Sequence, residues 1–142
     1  MKEPRQILSE RRAILDPVLY QHGFVFADGG TGHGSGGPYA FGSYRNGERK
    51  LEIHFRYALG LVTYYFGKIS ADHESYMRAL LGDAGGNKYP GFSDAPRSGF
   101  ADLAHDLQTH ATAFLNGDFT EFARCISAAK EWKKIPAFAR LP

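Results

Sequence analysis

The stretch that most constrains the fold runs from Tyr39 to Ile69. In it, Asn46-Gly47 divides two aromatic-rich segments of alternating polarity, and Gly60 lies near the start of a third. Asn-Gly between alternating runs signals a two-residue hairpin, because the type I′ turn needs positive φ at both central positions and these residues tolerate it best. The segment therefore reads as a three-stranded antiparallel meander. Pairing Arg45 with Glu48 puts Gly42 opposite Leu51, Ala40 opposite Ile53 and Tyr39 opposite His54. Leu51, Ile53, Phe55 and Tyr57 then face a core, while Glu52, His54 and Arg56 share the other face with Tyr39 and Phe41. A two-residue loop at Leu59-Gly60 turns Val62, Tyr64 and Phe66 inward and leaves Thr63 and Tyr65 beside Arg56 and His54.

Ahead of the meander, Ile7, Leu8, Ile14, Leu15, Val18 and Leu19 recur at three- and four-residue steps, the stripe of a helix ending near His22-Gly23. Pro17 removes a backbone bond inside that pattern, so the helix should kink or break near Leu15. Phe24 to Ala27 reads as a short first strand. The next nine residues, Gly29 to Gly37, hold six glycines and no apolar anchor, which predicts a mobile loop. After the meander, Ser70 or Asp72 can cap a short helix with Tyr76, Met77, Leu80 and Leu81 as its apolar positions and Gly82 as its end. A long connection to Arg97 carries Tyr89 and Phe92, aromatics that should pin it down. From Ser98, the residues Phe100, Leu103, Ala104, Leu107, Ala111, Phe114 and Leu115 form an amphipathic helix ending at Asn116-Gly117. Asp118 and Glu121 then make a capping pair for a last helix whose apolar face is Phe119, Phe122, Ala123, Ile126 and Ala129.

These elements amount to an α+β domain: an antiparallel sheet of about four strands packed against an N-terminal helix and two C-terminal helices. With 142 residues, 43% of them hydrophobic and only 23% charged, the chain is sized for a single domain spanning residues 1–142 with one packed core. The formal charge of +2 is too small to indicate nucleic acid, which relies on concentrated Lys and Arg. Cys125 is the sole cysteine, so a disulfide within the chain and a cysteine-based zinc site are both excluded, and a cytoplasmic setting fits. No run approaches the roughly 20 apolar residues of a spanning helix, so no membrane association is expected.

The segment Ile14-Leu15-Asp16-Pro17-Val18-Leu19, followed by His22-Gly23-Phe24 and the meander, resembles small bacterial domains of unknown function in which a Leu-x-Pro-x-Leu helix runs into Gly-Phe and an antiparallel sheet. Some relatives of that plan look like immunity proteins encoded beside toxins. The resemblance extends through Lys68, with the glycine-rich insertion before Tyr39 as a departure, and it implies a protein partner and no catalytic residues.

Several groups of residues carry possible chemistry. On the outer sheet face, Glu52, His54 and Arg56 project side by side, with Tyr39 and Tyr65 flanking His54. A carboxylate next to imidazole fixes its tautomer, as acid-base catalysis requires, and Arg56 offers an anion its donor fork. The same face suits a binding groove, overhung by the glycine-rich loop and its His33. Asp102, Asp106 and His110, with His105 adjacent, lie on one helical stripe where a divalent ion could be held. They also match the polar face of an amphipathic helix, and a solvated face is expected. Asp72, His73 and Glu74 read as helix-capping residues, and Cys125 as a small buried hydrophobe. The Gly-x-Ser-x-Gly match around Ser35 lacks a strand-elbow-helix setting and is no hydrolase signature. The basic, aromatic tail over 130–142 should drape onto the fold or meet a partner. The sequence thus favours a small non-enzymatic binding or interaction protein that uses Tyr39, Glu52, His54, Arg56, Tyr65 and His33, without metal or cofactor. A hydrolase or transferase built on Glu52 and His54 is the rival.

Overall fold

A computed structural model describes residues 3–34, 37–56, 59–82, 86–89 and 96–134, with only the backbone described for 96–98 and 128–134. Tyr57, Ser35, Phe92, the side chain of Ser98 and the tail side chains from Lys130 onward lie outside the described residues. The fold is α+β: one antiparallel sheet with strands in sequential order, flanked by helices at both ends of the chain.

Pro4–Arg11 forms α1, a 3₁₀ turn covers Arg12–Ile14, and Asp16–Tyr20 forms α2. Pro17 therefore does break the helix next to Leu15, as a missing N–H requires, and proline at the start of α2 sits where that N–H is not needed. Leu8, Leu15, Val18 and Leu19 are buried, which confirms the stripe.

The sheet has five strands: β1 (Val25–Gly34), β2 (Gly37–Asn46), β3 (Arg49–Phe55), β4 (Leu59–Phe66) and β5 (Ile69–Asp72). Two are longer or newer than the sequence suggests. Over its described residues the glycine-rich segment is strand and not loop: residues through Gly34 extend β1 and pair with β2, with a bulge between Asp28 and Gly30. Its glycines answer a packing demand that propensity does not register. A Cβ at Gly29 would lie 2.3 Å from the Phe41 ring and 2.9 Å from the Phe41 carbonyl oxygen, and one at Gly32 would lie 2.6 Å from the Tyr39 ring. Rings from β2 thus lie across a strand stripped of side chains. The other addition is β5, created by a reversal at Gly67-Lys68, where Gly67 takes φ +61°.

The first meander turn also sits one residue later than expected. Asn46 pairs with Arg49, and Gly47-Glu48 occupies the turn with Gly47 at φ +59°. Asn46 stays in the strand because its Nδ2 donates to the His22 carbonyl oxygen at 3.0 Å, tying β2 to the end of α2. Moving the turn by one residue shifts each partner by two, so no side chain changes face. Phe41, instead of Tyr39, now opposes His54.

The inner face carries Tyr44, Leu51, Ile53, Phe55, Val62, Tyr64 and Phe66, all buried. Against it pack α3 (His73–Leu81), α4 (Pro96–His110), α5 (Thr112–Asn116) and α6 (Phe119–Lys134), which contribute Tyr76, Met77, Phe100, Leu103, Leu107, Phe114, Phe122 and Ile126. Asp72 caps α3 by accepting from the Ser75 N–H at 2.7 Å, and Asp118 accepts from the Glu121 N–H at 2.8 Å ahead of α6. The helix expected from Ser98 to Leu115 is interrupted at Ala111, whose ψ of 32° is not helical, so α4 and α5 are separate. Among the described residues, no helix is long and apolar enough to cross a membrane.

Gly29→Ala should destabilise the protein by about 1–3 kcal/mol, the usual cost of forcing extra atoms into a packed contact. Urea denaturation measures this as a lowered midpoint with an unchanged slope, whereas a mobile glycine loop would accept the methyl group without effect.

Candidate functional site

Two clefts adjoin at Gly60, one opening on the outer sheet face and the other at the end of β4 beside α3. The outer cleft has a volume of about 300 Å³ and is lined by Tyr39, His54, Phe55, Arg56 and Gly60. Strand alternation puts His54 next to Phe41 and Tyr39, with ring centroids 5.7 Å from each and interplanar angles of 27° and 15°. Glu52 Oε1 lies 3.2 Å from His54 Nε2, close enough to hold the ring through one nitrogen. The Arg56 guanidinium carbon lies 5.7 Å from the Tyr39 centroid. Arg56 Nε is shielded from water and has no hydrogen-bond partner among the described residues.

Four of the six residues singled out from sequence, Tyr39, Glu52, His54 and Arg56, are therefore neighbours. Tyr65 is not beside His54. It opposes Lys50, whose Nζ sits 4.3 Å over its ring and 3.6 Å from Glu52. Burial and the nearby Glu52 carboxylate raise the Tyr65 hydroxyl above its ordinary pKa. His33 is exposed and opposes Pro38, one residue out of phase with the Gly32–Tyr39 pair, so it projects from the opposite side of the hairpin. No flap brings it over His54.

The second cleft, of about 370 Å³, is lined by Gly60, Leu61, Val62, Asp72, His73, Glu74 and Tyr89. Beneath it lies a polar network that the sequence reading missed. His73 is only 3% exposed and Asp106 is 0% exposed. His73 Nδ1 is 2.7 Å from the Tyr64 hydroxyl, and His73 Nε2 is 2.9 Å from Asp106 Oδ2. Asp106 also accepts from the N–H groups of Lys88 and Tyr89, each at 2.7 Å. Tyr89 in turn donates its hydroxyl to the Leu59 carbonyl oxygen at 2.7 Å and to that of Gly60. One proton arrangement satisfies every member: ionised Asp106 accepts from Nε2–H, and the bare Nδ1 accepts from Tyr64.

Asp106 on the supposedly solvated stripe and His73 among the supposed capping residues are thus both core residues. A faint signal was present for Asp106, which stands three residues after Leu103 on the flank of the apolar stripe. For His73 there was none, because its partners lie on β4 and α4, distant in sequence. Burial pushes the Asp106 carboxyl upward, but the hydrogen bonds from His73, Lys88 and Tyr89 outweigh it and leave the group below its ordinary range. Burial raises the Tyr64 hydroxyl well above its usual value and the Tyr89 hydroxyl to about 12. Both His73 nitrogens are occupied within the fold and Tyr64 is inaccessible, so this relay holds elements together and presents no group to a substrate. Cys125 is half-buried, and burial followed by Glu121 raises its thiol, the opposite of what a nucleophile needs.

No family model matches the chain, and no curated protein or solved structure matches it. The likeness to immunity-type domains therefore rests on the sequence alone.

His73→Ala should cost about 3–5 kcal/mol, because it leaves a buried carboxylate without its main partner; chemical denaturation reads this directly. The pH dependence has a definite sign. A carboxyl depressed in the folded state contributes stability that is complete above the unfolded value of about 3.9 and is lost as pH falls through the lower folded value. In Asp106→Asn, the acid-side decline in thermal midpoint should be shallower than in the wild type, and an equally steep decline would remove Asp106 as its source.

Proposed function

We propose that this protein is a non-enzymatic interaction module that binds an acidic protein segment on its outer sheet face. The observation that carries this reading is Arg56. Its guanidinium, with an unpartnered Nε, lies over Tyr39 at the edge of an open cleft that His54 also lines. A planar donor fork backed by an aromatic ring suits a carboxylate. Arg45 and Lys50 add positive charge on the same face as Arg56, which also carries Glu52 and, at the far strand, Asp72; the basic side chains of the face support an acidic partner through attraction as well as contact. Tyr39, Phe41 and His54 supply flat, pre-positioned surface of the type that contributes most at interfaces. Among the described residues no helix covers this face, since the helical core residues meet the inner one.

Peptides of matched length, one rich in Asp and Glu around an aromatic residue and one rich in Lys, provide the test by fluorescence anisotropy. The acidic peptide should bind more tightly, lose affinity as salt rises, and lose about tenfold, or about 1.4 kcal/mol, in Arg56→Ala. Equal binding of both peptides, or an unchanged affinity in Arg56→Ala, would defeat the proposal. Tyr39→Ala should weaken the same peptide while leaving the thermal midpoint within a few degrees, since Tyr39 is only half-buried.

A further inference from the structure

The geometry points to a binding site for a divalent transition metal of the Zn²⁺ class at the C-terminal end of α4, formed by His105, Asp106 and His110. Each residue offers one ligand atom, and these atoms all lie within 4.8 Å of one another. Ligand atoms bound to one ion at about 2.0–2.2 Å lie roughly 3–4 Å apart, so small ring rotations close the set. The chemistry of two imidazoles and one carboxylate selects Zn²⁺ and its first-row neighbours over Mg²⁺ or Ca²⁺.

Two further observations single out this cluster. His110 Nε2 is shielded from water and has no hydrogen-bond partner among the described residues. A metal ion would satisfy that nitrogen, which otherwise stays shielded and unpartnered. Asp106 is also held as metal-binding carboxylates are held, by outer hydrogen bonds that fix its orientation. Its Oδ2 accepts from His73 and Tyr89, while Oδ1 accepts only from Lys88. An ionised carboxylate oxygen has two acceptor directions, so Oδ1 keeps one for a cation. The His105 and His110 rings stand edge to face, at 82° with centroids 6.3 Å apart, and each has a nitrogen within 4.8 Å of an Asp106 carboxylate oxygen. The site is a structural clip: it would fasten the last turn of α4 to the same carboxylate that anchors His73 and the residue 88–89 segment. This inference is independent of the outer-face reading.

The test is isothermal titration of untagged, chelator-stripped protein with Zn²⁺ alone. One ion per chain should bind, the thermal midpoint should rise, and affinity should fall as pH drops and the imidazoles protonate. His105→Gln and His110→Gln should each weaken binding by about tenfold or more, while His33→Gln, remote from the cluster, should leave it unchanged. Absence of saturable binding up to millimolar Zn²⁺ overturns the proposal, as does undiminished stoichiometric binding in the His105→Gln/His110→Gln double variant. If a variant does not fold, histidine ring resonances of the wild type decide the matter. Zn²⁺ must perturb those of His105 and His110, and selective perturbation of other histidines instead overturns the assignment.

Discussion

The buried carboxylate of Asp106 is the constraint around which the rest of the molecule is arranged. Removing a charge from water is costly, and the cost is met only when several donors converge on it. Here three donors come from two places: the His73 ring at the start of α3, and the consecutive backbone N–H groups of Lys88 and Tyr89. Through His73 the chain of contacts reaches Tyr64 on β4. Through Tyr89 it reaches the carbonyl oxygens of Leu59 and Gly60 at the beginning of that strand. One side chain on α4 is therefore tied to α3, to the 88–89 segment and to β4 at two points, its start and Tyr64. Gly60, at the end of this chain, is shared by the two clefts. A network of this kind is satisfied as a whole or not at all, which makes it a device for specifying one arrangement.

The sheet obeys a second constraint, the need to lay large rings on a strand. Tyr39 and Phe41 occupy space over β1 that ordinary side chains would fill, and glycine at positions 29 and 32 provides it. The cluster of Tyr39, Phe41 and His54 is consequently supported from below by backbone and from the side by strand pairing. Side chains held in this way lose little freedom when a partner arrives, which lowers the entropic cost of association.

How far the sequence revealed all this depended on whether the deciding partner was near in the chain. Alternation in β3 and β4 placed Leu51, Ile53, Phe55, Val62, Tyr64 and Phe66 inward correctly, because a period of two is local information. The register error at Asn46 had no effect on faces, since moving a hairpin turn by one residue shifts its partners by two. Pro17 and Gly23 marked the break and the end of the N-terminal helical region for equally local reasons. In contrast, the glycines of β1 look like flexibility in the sequence because the rings that require them sit on the neighbouring strand, seven residues after Gly32 and twelve after Gly29. Asp106 and His73 were read as surface residues because each is polar by type and buried only by virtue of the other. Glycine between aromatics across a pairing, and a carboxylate on the flank of an apolar helical stripe, look identical in one dimension to a linker and a solvated face.

Both polar centres depend on the same rule, that a shielded donor or acceptor needs a partner, yet they satisfy it to different degrees. Both nitrogens of His73 are occupied from within, so that ring has nothing left to offer a ligand, and only Oδ1 of Asp106 keeps an acceptor direction open. Six side-chain atoms remain shielded and unpartnered among the described residues, and two of them, Arg56 Nε and His110 Nε2, belong to groups that line an open cleft or a cluster of metal-ligand atoms. An unmet polar atom costs about 1–3 kcal/mol, and three residues converge on the Asp106 carboxylate to avoid that cost. At Arg56 and His110 an external partner has something to supply: an oxygen acceptor at the guanidinium, and an electron-pair acceptor at the imidazole. The first requires an anion at an open face, the second a cation in an enclosed corner, and the two requirements follow from the donor and acceptor character of the atoms themselves.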